Sequence, residues 1–149
     1  MTQDTWNDIV KNGAYSQELD WFAIDNKGQL GMFSAAMNAP IPDKVMSSLE
    51  NYEDLKRLIE LAPKITSAIV ETREQGNFDD WIAYAEKGLF AFDFQDIHRI
   101  EKRAQYDLIA RPLKPLTLDE LNLPTNLNEY LVRINCDFGS GNLETDKVK

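Results

Sequence analysis

The sequence predicts an α+β fold: an antiparallel sheet of about five strands, an N-terminal hairpin plus three C-terminal strands, with a helical middle segment packed mainly on one face. Three observations predict it. Between Leu19 and Phe33 two strand-forming runs flank Asp25-Asn26-Lys27-Gly28, whose Asn and Gly tolerate the positive φ of a tight turn. From Asp43 to Leu61 the apolar positions Val45, Leu49, Tyr52, Leu55 and Ile59 recur at steps of three and four, the signature of one helical face against a core. The later chain alternates apolar and polar residues at the period of strands, without a regular β-α-β order.

Taken in order, Thr5, Trp6, Ile9 and Val10 suit a short amphipathic helix with Thr5 as N-cap and Gly13 as its stop. The first hairpin strand is apolar on both parities, as an interior strand should be. Pro42 opens the long helix, and Pro63 disfavours helical geometry at Ala62, so a kink or restart is expected before a second stripe of Ile65, Ala68, Ile69 and Thr72. Asn77 caps a helix from Phe78 to Lys87, and Gly88 ends it. Phe90, Phe92 and Phe94 share one face of the next strand, an aromatic row expected beneath the helices. An irregular turn spans Gln95 to Arg103, and a strand runs from Ala104 to Arg111. Thr117 and Glu120 form a capping box for a one-turn helix that Pro124 closes, and Tyr130 to Cys136 reads as the last strand. Residues 1–138 are thus expected to form a single globular domain, with 139–149 a disordered polar tail.

The chain has 149 residues, and its 25 acidic against 16 basic side chains give a formal charge of −9. That charge repels nucleic-acid phosphate and anionic lipid, and suits a basic protein partner. The N-terminus lacks the pattern of an export signal, and no apolar run reaches membrane-spanning length. One cysteine, Cys136, excludes an internal disulfide, so the expected location is the reducing cytoplasm.

No specific catalytic or cofactor motif occurs: the phosphate-cradling glycine patterns are absent, and Asp25-Asn26-Lys27-Gly28 lacks the alternating ligands of a calcium loop. No cofactor and no enzymatic activity are expected. Asp93, Asp96 and His98 lie close together after a strand and are the candidates for a metal or acid–base site. Cys136 shares a parity with Val132 and Ile134, which places it in the core instead of a nucleophilic triad with His98. Trp21, Phe90, Phe92 and Trp81 are candidates for an aromatic ligand pocket, or simply for the core. Acidic clusters on the helices, with Glu53, Asp54, Asp79 and Asp80 as contributors, offer a face for a basic partner.

Trp21-Phe22-Ala23-Ile24-Asp25-x-x-Gly28, Pro40-Ile41-Pro42, Gly88-Leu89-Phe90-Ala91-Phe92-Asp93 and Ala110-Arg111-Pro112-Leu113-Lys114-Pro115-Leu116 together resemble a family of small bacterial proteins similar to the immunity proteins of polymorphic toxin systems. The resemblance covers roughly Leu19 to Ile134 and rests on structural motifs, and it carries over no catalytic residue. It implies an intracellular protein that binds and blocks a partner, such as a toxin, without chemistry of its own.

Overall fold

Asp25 follows the first strand of the hairpin and is buried, at 5% exposure. A carboxylate taken out of water must be met by donors, and here four arrive. Oδ1 accepts from the Lys27 and Gln29 main-chain N–H groups, both at 2.9 Å. Oδ2 accepts from Gln29 Nε2 at 2.7 Å and from the Phe138 N–H at 2.9 Å. Gly28, at φ 73°, supplies the left-handed step that closes the turn. The Asn26 N–H donates to the Cys136 carbonyl at 2.9 Å, and Lys27 pairs with Asp137 at 2.8 Å. The turn is therefore a clip between the hairpin and the chain's last segment.

The computed structural model describes residues 1–14, 17–36, 39–94 and 105–148. Its elements are α1 (Gln3–Asn12), β1 (Leu19–Ile24), β2 (Leu30–Ala35), α2 (Leu49–Leu61), β3 (Ala68–Val70), α3 (Asp79–Glu86), β4 (Phe90–Phe94), β5 (Gln105–Pro112), α4 (Leu118–Leu121), α5 (Thr125–Tyr130), β6 (Val132–Arg133) and β7 (Leu143–Glu144), with short 3₁₀ turns between. The α+β class holds. The sheet runs β3-β5-β4-β2-β1-β6, with β7 added beside β5, so seven strands stand among the described residues where about five were expected.

It is also mixed, not purely antiparallel. β2 pairs with β4 in parallel, and so does β1 with β6. The reason is connectivity: the whole helical middle is one long crossover from β2 to β4, and such a crossover returns the chain in the same direction.

The two faces of the sheet are covered differently. Trp21, Phe33 and Phe92 sit opposite one another across β1, β2 and β4 and stack at ring-centroid distances of 4.3 and 4.7 Å. Tyr106 meets Trp21 and Phe33 edge-on, and its hydroxyl accepts from Trp21 Nε1 at 3.2 Å. Phe138 closes over this row, edge-on to Phe33 and Phe92. The aromatic row thus packs under the C-terminal segment, not under the helices. Gly31 makes that seat possible, because a Cβ there would stand 2.8 Å from the Phe138 ring.

The helices cover the opposite face. Tyr84 of α3 packs on Phe22, and the Tyr52 hydroxyl of α2 donates to the Asp20 carbonyl at 2.7 Å. Trp6 of α1 lies against Tyr52 at 5.1 Å.

Several local expectations are corrected. α1 is capped by Thr2, whose side chain accepts from the Thr5 N–H, and not by Thr5 itself. The long helix starts at Leu49 behind a Ser48 cap, after a 3₁₀ turn at Val45–Ser47. The stripe after Pro63 is not a helix: Ala62 turns extended, and the β-branched pair Ile69 and Val70 lies in β3 at the edge of β5. Pro124 opens α5 where it was expected to close a helix, and Tyr130 ends that helix, its hydroxyl donating to the Val45 carbonyl at 2.6 Å. Only Val132–Arg133 remains of the last expected strand.

Residues 139–148, expected to be a disordered tail, carry β7 and two buried apolar anchors, Leu143 and Val148, behind Phe138. Asn142 Oδ1 accepts the Leu108 N–H at 2.9 Å, and Arg111 donates to the Gly139 carbonyl. Composition hid this because three apolar side chains spaced at five residues suffice once a sheet face is waiting for them. The turn expected over Gln95 to Arg103 lies outside the described residues.

Replacing Asp25 by Ala would leave buried N–H groups on both halves of the clip without acceptors. We expect a loss on the order of 3 kcal/mol in urea denaturation. A loss within about 0.5 kcal/mol, the range of ordinary surface substitutions, would show that water replaces the carboxylate.

Candidate functional site

The sequence candidates are not brought together. Glu53, on α2, is engaged by the chain's own amino group at 3.3 Å. Asp54 pairs with Arg57, one turn on, at 3.2 Å. Asp79 begins α3, its N–H donated to Asn77 Oδ1. Asp80 alone enters a cleft.

That cleft, about 270 Å³, lies between α2 and α3 over β1 and is lined by Asp20, Lys56, Glu60, Asp80, Tyr84 and Lys87. Burial pushes the Asp20 carboxyl above its ordinary range, against the lowering pull of Lys56 and a hydrogen bond with Ser34; the charges of Glu18 and Asp80 raise it further. Lys87 does not answer Asp20: its Nζ donates to the Ile59 and Glu60 carbonyls and closes the end of α2. Sequence reasoning missed Asp20. The available signal was an acid at an interior position of an otherwise apolar strand, Leu19-Asp20-Trp21-Phe22.

Asp93 stands in the sheet, in register with Ser34 and Asp107. Asp96 and His98 lie outside the described residues. Among the described residues no group of three or more His, Cys, Asp or Glu side chains is placed to hold a metal ion. Cys136 is half-buried, and burial pushes its thiol up to about 11, with Asp25 and Asp137 adding to the rise and Lys147 opposing it. It is therefore a thiol, not a thiolate, at neutral pH. Phe90 and Phe92 are buried beneath Phe138 and Trp21 is buried against Phe33, whereas Trp81 belongs to α3 and donates to the Phe92 carbonyl at 3.3 Å. Phe92 lines one cavity and Phe90 another.

Apart from Met1 and Val10, the exposed large apolar side chains of the described residues lie near the end of α2, on β3 and just after β5. Leu58 and Leu61 end α2, Ile65 follows it, Ile69 and Val70 are on β3, and Leu113 follows β5. Backbone bonds hold these segments side by side: the Leu113 N–H donates to the Ser67 carbonyl, and the Lys114 N–H to Thr66 Oγ1, each at 2.9 Å. Leu61 is 76% exposed and Leu113 68%. A groove of about 470 Å³ runs from Leu58 and Leu61 to Leu116 and Leu121. No helix of the described residues is long and apolar enough to cross a membrane. No family model, no curated protein and no solved structure matches this chain.

The raised Asp20 carboxyl makes a pH prediction. Its folded-state value lies above the ordinary 3.8, so its contribution to stability is full below that value and is lost as the pH rises through the folded one. Asp20→Asn removes this dependence. We expect the variant to gain on the wild type as the pH rises from acid to neutral, read as denaturation midpoints across a pH series. A difference that stays constant with pH would refute the assignment.

Proposed function

We propose that this chain is a non-catalytic binding protein of the immunity type, acting in the cytoplasm by covering a surface of a protein partner. The observation that carries the reading is the exposure of Leu58, Leu61 and Ile65 along one groove and of Ile69 and Leu113 along a second, the two meeting where Leu113 is followed by Lys114. Single exposed apolar side chains are ordinary on any protein; a gathered set rimmed by polar residues is what a docking surface presents. The formal charge of −9 supports a basic partner, since the field of an acidic molecule speeds the approach of an opposite charge and sets its orientation. In this reading the apolar surface provides the buried contact, and the acidic remainder provides steering. Blocking then requires only occupancy.

The test is capture of the partner from the native host on the full tagged chain, with the recovered protein identified by mass. Leu61→Asp combined with Leu113→Asp should lower recovery by about tenfold, the effect of desolvating new charges in a contact. Val10→Asp, an exposed apolar position on α1, should leave recovery unchanged. Thermal unfolding of each variant checks that the fold is intact. Equal recovery by all three proteins would remove the apolar surface from the function.

A further inference from the structure

The groove at the end of α2 carries a charge opposite to that of the chain. Its walls are Leu58, Leu61, Pro63, Ile65, Leu116 and Leu121, and its polar rim is Lys87, Lys114 and Glu120. Glu120 is turned to its own helix: Oε1 accepts from the Thr117 N–H at 3.2 Å and from Thr117 Oγ1 at 3.0 Å, the capping box of α4. The nearby Lys56 and Lys64 are answered by Glu60 and Glu86. Lys87 and Lys114 form no ion pair among the described residues, Lys87 being held by the carbonyls at the end of α2. In a chain of formal charge −9, the rim of this apolar groove is thus two ammonium groups to one carboxylate, and Lys114 has no ion-pair partner among the described residues.

We infer that this groove receives a segment of the protein partner that is itself amphipathic, placing large apolar side chains between Leu61 and Leu121 and a carboxylate against Lys114. The inference rests on the binding reading above and adds the chemistry of the contacting segment. Leu61, 76% exposed, forms one wall. A small ligand would remain half in water there, whereas a docked segment covers the wall with its own chain. A carboxylate placed against Lys114 meets a cation that has no ion-pair partner among the described residues, while a basic side chain at the same place would meet a like charge. The field of the whole molecule and the local groove thus select differently: the partner as a whole is basic, and the segment that docks carries an acid.

Panning a random library of displayed 16-residue peptides on the full chain tests this, with binders recounted on Leu61→Asp and Lys114→Glu. Both positions are exposed, so neither substitution threatens the core. The expected binders combine two or more large apolar residues with an Asp or Glu. They should be lost on Leu61→Asp and weakened about fivefold on Lys114→Glu by fluorescence anisotropy, the scale of a rim charge reversal. Changing the acid of the peptide to Lys should restore its affinity for Lys114→Glu. Peptides that need Leu61 but ignore the charge at 114 would overturn the acidic segment and leave the apolar docking reading standing. A library with no Leu61-dependent peptide overturns the inference too, and the partner-capture comparison then decides the broader reading separately.

Discussion

The buried carboxylate of Asp25 is the constraint on which the rest of the structure depends. Its two oxygens bind the hairpin turn on one side and the Phe138 N–H on the other, so the first strands and the last segment are fixed by the same group. Once Phe138 is held there, its ring lands on the stacked row of Trp21, Phe33 and Phe92, and the C-terminal segment becomes the cover of one sheet face. A buried carboxylate costs several kcal/mol in desolvation unless every oxygen is met. Here each oxygen has two donors.

This division of the sheet bears on function. One face is closed by aromatic packing and by the clip, and the other by α1, α2 and α3. The groove proposed for docking lies outside both covers, where α2 ends and the chain leaves β5. Leu58, Leu61 and Ile65 are exposed along it, and the acidic side chains first singled out on α2 and α3 are in part absorbed by local pairs such as Asp54 with Arg57. Net charge is a property of the whole sequence. Its use at a surface depends on which charges are already answered.

The sequence by itself determined the local events. The hairpin turn, the α2 stripe, the Gly13 stop and the Thr117–Glu120 capping box all depend on residues within a few positions of one another, and the structure contains them. The α+β class followed from their order. Asp25 was legible as a turn residue, through the same short-range chemistry.

Tertiary structure alone decided the rest. Whether Ile69 and Val70 sit in a helix or a strand depends on the free edge of β5, which no local window contains. The parallel pairing of β2 with β4 follows from where a crossover of more than fifty residues returns, and the order of the C-terminal segment from an apolar face assembled out of four distant strands. Glu53, Asp54, Asp79 and Asp80 were readable as acids, but not that only Asp80 would share a cleft with Asp20, nor that two lysines would rim the apolar groove. Periodicity reports which face a residue takes on its own element. It carries no information about which other element that face will meet, because burial and charge pairing are sums over neighbours that only the folded chain brings within a few ångströms.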